Sequence, residues 1–232
     1  MKTLIKIQNY QEAKILERVN RFVVRLKIKN KTIFGHLNNT GKLEGFIKKG
    51  KVGLVLPTKN EGKLKFRLSM VKEDERAFSI IDTLLQMKCF EIALKKQFIP
   101  WLKGGKILKR NFKLNGSLID YLIDYKNRKY YLEAKSAVMK YKNLAMYPDS
   151  PSERGAKHIL TLLKNPKSSI ILFIVGMKNV DAFSPNKKAD PKIYEFLLKA
   201  RKVGVKIKAI QLYFDKKLNS IVLKNGNLPI RF

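Results

Sequence analysis

The chain is poor in the residues from which cross-links, soft-metal sites and membrane anchors are made. It has one cysteine, Cys89, and two distant histidines, His36 and His158. A lone thiol forms no intrachain disulfide and reads as a buried core residue in a reduced compartment. Two separated histidines supply no zinc-ligand cluster. No stretch approaches ~18 uninterrupted apolar residues, and none follows Met1, which argues against a membrane partner or a secretory leader. The expected location is cytoplasmic. Acidic residues are scarce too: 18 Asp and Glu face 50 Lys and Arg, a net charge of +32 over 232 residues.

That excess needs a polyanion or a specialised surface to explain it. It is not a detachable tail. Residues 1–80 carry 19 basic and 7 acidic residues (+12), leaving 31 and 11 (+20) for residues 81–232. Both halves are therefore expected to face the polyanion. Nucleic acid is favoured over an anionic membrane surface. A hydrophobic content of 45% is enough for an ordinary globular core.

Residues 11–70 read as β structure. Val19 to Ile28 partly alternates, with Phe22, Val24, Leu26 and Ile28 on one face and Arg21, Arg25 and Lys27 mostly on the other. Further short strands are expected at Thr32 to Leu37, Lys51 to Pro57 and Lys63 to Met70. Gly-containing turns separate them at Asn38–Gly45, Gly50 and Asn60–Gly62. This spacing predicts a small barrel or sandwich. Phe22, Phe34, Phe46 and Phe66 are expected to be mostly core. The donor-rich turn holding His36, Asn38, Asn39, Thr40 and Lys42 suits phosphate contacts, and turn chemistry alone also explains it. The charge-dense Lys72 to Arg76 marks the expected boundary between a domain at 1–76 and one at 77–232.

Beyond it, Ser79 to Gln97 reads as a helix carrying Glu91. Lys95 to Lys113 holds seven basic residues and no acidic one, a solvated face or a phosphate track. Helices are expected at about Pro151 to Lys164 and Pro191 to Lys202, with strands at Ser169 to Val175, Val205 to Phe214 and Ser220 to Lys224. That order is α/β.

Ser117 to Ala137 reads as a hairpin. With the turn at Asn127–Arg128, paired residues sum to 255, and Asp120 falls opposite Lys135. Alternation then puts Asp120, Glu133 and Lys135 on one face, with Asp120 and Glu133 roughly 7 Å apart or less on the diagonal. Two carboxylates at that distance can hold Mg²⁺ or Mn²⁺, and a lysine beside them can orient or deprotonate water. The same residues also fit a plain cross-strand Asp–Lys pair worth about 0.2–1 kcal/mol.

RVNRFVVRLKI (18–28), GHLNNTGKLEG (35–45), ID-Y-L with YLEAKS (119–122, 131–136) and above all AMYPDSPSERGAKH (145–158) resemble the sugar fermentation stimulation protein A family. DAFSP (181–185), DP (190–191) and GVKIKA (204–209) extend the likeness over nearly the whole chain. The resemblance implies an N-terminal OB-fold barrel followed by a PD-(D/E)XK nuclease-like α/β domain with a mixed sheet. It also implies DNA binding, and a family name taken from a role in sugar-fermentation regulation. Asp120 takes the place of the metal-binding Asp, and Glu133 and Lys135 form the (D/E)-x-K element. Glu91 stands where such folds often add a carboxylate on the first helix. The chain departs from the family's usual Asn residues at Asp82 and Met87. Glu153 is either a further active-site carboxylate or part of a capping box with Ser150 as N-cap and Pro151 at the first helical position. Arg154, Lys157 and His158 are expected on the polar side of that helix, joining Arg21, Arg25, His36 and Lys42 as DNA contacts. Two functions stand open. One is a metal-dependent deoxyribonuclease. The other is a non-catalytic, weakly sequence-selective regulatory protein of sugar fermentation or maltose metabolism. Double- or single-stranded DNA, and a monomer or homodimer, are likewise open.

Overall fold

The structure, a computed structural model, describes residues 1–58 and 64–232. The expected turn at Asn60–Gly62 and the start of the strand at Lys63 lie outside the described residues. The strands in chain order are β1 Lys2–Lys6, β2 Gln11–Arg18, β3 Val23–Ile28, β4 Lys31–His36, β5 Val52–Pro57, β6 Phe66–Lys72 and β7 Ala77–Ile80. Helix α1 Thr83–Lys95 precedes β8 Lys106–Leu114, β9 Ser117–Tyr125, β10 Arg128–Ala137, β11 Met139–Tyr141 and β12 Leu144–Tyr147. The chain ends with α2 Glu153–Leu163, β13 Ser169–Val175, β14 Ala182–Pro185, α3 Pro191–Lys202, β15 Lys206–Asp215 and β16 Ser220–Asn225.

Strands β2 to β6 form the five-stranded barrel of an OB-fold. Their order is β4-β3-β2-β5-β6, and a parallel pairing of β4 with β6 closes it. The strand expected from Val19 begins only at Val23, because the Asn20 side chain accepts the Phe22 amide at 2.8 Å and turns the chain. The four phenylalanines divide. Phe46 is buried and Phe66 packs against the core, whereas Phe22 and Phe34 are 51% and 49% exposed.

The second half is a mixed sheet with helices on both faces. Strands β10, β13 and β15 run parallel, while β8, β9 and β7 pair antiparallel. The run SIILFIV is buried at every position, with Ile170, Leu172 and Ile174 packing on the α1 side and Ile171, Phe173 and Val175 on the α2 and α3 side. The barrel and this sheet are joined edge to edge through β6 and β7, and β1, which precedes the barrel strands, pairs with β16.

The charge-dense stretch ends β6 at Lys72 and turns over Glu73–Arg76 into β7. Two expectations change here. The first helix starts at Thr83, since Ala77–Ile80 is claimed by pairing with β6 and β15 and Asp82 caps the helix by accepting from the Leu85 amide at 3.0 Å. The basic run after it is largely β8, an edge strand whose Lys106, Lys109, Arg110 and Lys113 are exposed.

Asp82 does more than cap. It is fully buried, and it accepts from Ser69 Oγ at 2.9 Å, from Arg67 Nε at 2.5 Å and from Asn38 Nδ2 at 2.5 Å. The barrel is thereby tied to the first helix of the second half. Asp82→Ala leaves Arg67 without its partner and is expected to lower the unfolding free energy by about 3–5 kcal/mol, as read by urea denaturation. Asp82→Asn keeps the cap and should cost less than half as much. An alanine loss under about 1 kcal/mol would contradict this role.

Candidate active site

The β9–β10 hairpin turns at Lys126–Asn127, whose φ angles of 52° and 57° are the left-handed pair of a two-residue hairpin turn. Paired residues therefore run from Arg128↔Tyr125 to Leu132↔Tyr121, two residues out from the expected register. A two-residue shift preserves which face each side chain occupies. It brings Asp120 level with Glu133 and no longer with Lys135.

The ladder stops at Leu132 and Tyr121, and the carboxylates take over its bonds. Asp120 Oδ2 accepts from the Ala134 amide at 2.8 Å, and Glu133 Oε2 accepts from the Asp120 amide at 3.3 Å. Glu133 is 2% exposed. Its Oε1 accepts from Lys135 Nζ at 2.6 Å and is bonded to Nδ1 of the buried His158 on α2. Lys135 Nζ and His158 Nδ1 are 3.4 Å apart.

Burial and then the Glu133 charge push the Asp120 carboxyl up to about 6, against the opposing pull of the Ala134 bond, Lys135 and His158. Burial acts on Glu133 in the same sense, yet Lys135 and the His158 bond hold its carboxyl below the usual range. Burial disfavours the Lys135 ammonium, and Glu133 more than offsets it, so the amine stays charged. The cluster is thus one firm carboxylate paired to an ammonium, beside a second carboxyl that is costly to ionise.

Other expected site residues lie elsewhere. Glu91 accepts from the Tyr121 hydroxyl at 2.9 Å and pairs with Arg110. Tyr121 packs with Phe90 and Leu132 on the α1 side, while Glu133 turns to the α2 side, so Glu91 is separated from the cluster by the sheet. Glu153 is the exposed first residue of α2, and the capping box does not form. Ser152, and not Ser150, is the N-cap, accepting from the Gly155 amide at 3.0 Å. His158 leaves the polar helix face for the buried cluster, while Arg154 and Lys157 stay exposed, with Arg154 one turn above His158. Arg21 and Lys42 are exposed and His36 is half-buried. Arg25 pairs with Glu17 at 3.1 Å. Asn38 and Asn39 turn inward, Asn39 donating to Ile81 O at 3.0 Å and reaching Ser136 Oγ at 3.4 Å.

Sequence reasoning missed Tyr147 and Asp149, although both lie in the AMYPDSPSERGAKH stretch. Tyr147 sits under the start of α2, so close that a Cβ added at Gly155 would lie 2.6 Å from its hydroxyl, and it feels the Lys135 charge. Asp149 accepts the Leu43 amide of the barrel loop at 3.0 Å.

Among the described residues, no group of three or more His, Cys, Asp or Glu side chains converges for a metal. The donor set here is two carboxylates with oxygen ligands only, which suits a hard divalent cation that completes its shell with water and phosphate oxygens. The raised Asp120 carboxyl is the electrostatic counterpart of that fit, since a cation between the pair would favour its charged form.

Because ionising Asp120 costs the folded protein energy, the cost is present in full above about 6 and disappears as pH falls to the ordinary carboxyl range. In chelating buffer at pH 8, Asp120→Asn should therefore raise the unfolding free energy by about 1–2 kcal/mol. The gain should vanish near pH 4. A loss of stability at pH 8 would contradict this electrostatic picture.

Comparison with known proteins is consistent across the chain. Residues 16–80 match the model for the SfsA N-terminal OB domain, and residues 84–218 match that for the sugar fermentation stimulation protein RE domain. A sugar fermentation stimulation protein homolog of Pyrococcus furiosus is 39% identical over 218 residues, covering 93% of each chain. One from Archaeoglobus fulgidus is 38% identical over 230 residues, covering 98% of each. The solved structure of Pyrococcus furiosus SfsA in complex with Ca²⁺ superposes with a TM-score of 0.94 at 36% identity, over 100% of both chains. With both halves matched in order and relatives aligned along nearly the full length, the chain belongs to the sugar fermentation stimulation protein family.

Proposed function

We propose that this protein binds DNA and hydrolyses its phosphodiester bonds at Asp120, Glu133 and Lys135 with a divalent cation. The observation that carries this is the break in the β9–β10 ladder, where two carboxylates converge beside a buried lysine. Asp120 and Glu133 are the residues to hold the cation, and the Ca²⁺ complex of the Pyrococcus relative supports a hard divalent ion without choosing between Mg²⁺ and Mn²⁺. Such an ion supplies neutralisation of the phosphate and a more acidic attacking water.

The chain's own residues divide the remaining work. Lys135, kept charged by Glu133, places an ammonium where negative charge builds up on the phosphate. It is a poor candidate for removing a proton. His158 bonds the same oxygen of Glu133 and helps to fix the carboxylate. Arg154 and Lys157, exposed on α2, and the exposed basic side chains of β8 supply contacts to flanking phosphates.

A second reading has its own support. Lys135 and His158 together occupy Glu133 Oε1, so the carboxylate is satisfied without a cation, and a DNA-binding regulatory protein without turnover would look the same. Nicking of plasmid DNA with Mn²⁺ or Mg²⁺ separates the two. Asp120→Ala and Glu133→Ala are expected to lower the rate about 100-fold or more, with Lys135→Ala comparable. DNA affinity should remain and fall steeply with salt through counterion release. Wild-type protein that binds DNA but cleaves nothing with either ion would favour the regulatory reading.

A further inference from the structure

The loop following β4 crosses from the barrel to the second half and is fastened at both ends. Asn39 holds Ile81 and Ser136, and the Leu43 amide donates to Asp149. Behind it, Arg18 donates to the carbonyls of Gly41 and Lys42, each at 2.6 Å. The loop presses on Asp149 so closely that a Cβ at Gly41 would lie 2.5 Å from its Oδ2. Beneath it is a cleft of about 190 Å³, lined by Arg21, Thr40, Ser136, Tyr147 and Ser152 among others. Tyr147 lines the cleft, and its hydroxyl lies against Gly155, one turn before His158 on α2, so the cleft adjoins the candidate active site.

The cleft is smaller than the roughly 300–1,000 Å³ of pockets for drug-sized ligands. It has room for one base-sized group and none for a base pair. It shares Met139 and Asp149 with two neighbouring troughs of about 470 Å³ and about 510 Å³. One carries Lys48, Lys51 and Lys140, the other Lys42, Lys187 and Lys188. Three acidic residues line the first trough: Glu73 is committed to Ser79 and to the amides of Lys178 and Asn179, Asp149 accepts the Leu43 amide, and Glu44 lies 3.6 Å from Lys42. One aromatic ring lies on this path: Tyr141 lines one trough at 57% exposure, with Lys142 Nζ 5.8 Å from its ring centre. A basic cleft of single-base width with an exposed ring beside it is the chemistry of single-strand binding.

We infer that the groove between the barrel loop and the second half takes unpaired, single-stranded DNA, delivering one strand to the candidate active site. This rests on the DNA reading above and adds the strand preference. Duplex DNA would be excluded from the cleft by the fastened loop and served only where its strands are open.

The test is fluorescence anisotropy of the full chain in EDTA with a labelled 20-mer, as a single strand and as a blunt duplex of the same sequence. The single strand should bind at least about tenfold more tightly. Tyr141→Ala, at an exposed position, should weaken single-strand binding about fivefold to tenfold and leave duplex binding unchanged. Equal or tighter duplex binding, equal losses on both DNAs, no binding of either, or tighter binding of the matching single-stranded RNA would each overturn the inference. Because the measurement needs no cation, a failure to cleave would not register in it, and a failure here would leave cleavage to be judged separately.

Discussion

Two neighbouring strands stop pairing so that two carboxylates can meet. Past Leu132 and Tyr121, the amides of Asp120 and Ala134 donate to side chains and no longer to the opposite backbone. Buried amides must be satisfied, so the strands can part here only because each carboxylate takes over a lost ladder bond. The carboxylates are thus part of the fold as well as candidates for chemistry. Their proximity carries a cost, visible in the Asp120 carboxyl lifted to about 6 by burial and by Glu133. Lys135 and His158 settle the charge on Glu133 and leave Asp120 as the labile member. A site with this imbalance suits a group that binds a cation when one is supplied.

The barrel contributes more than an attached binding module. Asn38 reaches Asp82 under the first helix, Asn39 reaches Ser136 beside Lys135, and Leu43 reaches Asp149. Asn38 and Asn39, donors that looked suited to phosphates, are spent on joining the halves, while Lys42 stays exposed. The proposed path for a single strand is then the groove under that loop with its exposed lysines and Tyr141. Packing of one half on the other shapes the approach to the cluster.

Much of this was legible in the sequence, for identifiable reasons. The buried strand Ser169–Val175 and the helix capped by Asp190 with Pro191 behind it follow from local chemistry, and both stand where they were expected. The shared face of Asp120, Glu133 and Lys135 depends only on parity, so it survived a hairpin register that was two residues off. What depends on tertiary partners was not legible. Ala77–Ile80 is strand because β6 and β15 flank it, and β8 is strand although its pattern is that of a basic surface. His158 could be placed on a helix from sequence, but its burial against Glu133 arises from how α2 lies across β10. Glu91 sits on the expected helix, yet that helix packs on the other side of the sheet, where Tyr121 and Arg110 take its carboxylate.

The proposed chemistry requires Asp120 and Glu133 to form one cation site. Anomalous diffraction from crystals soaked in Mn²⁺ reads that site out. A single strong peak between the two carboxylates, lost in Asp120→Asn crystals, is the expected result. No peak between them, or a peak at the site that persists unchanged in the Asp120→Asn protein, would contradict it.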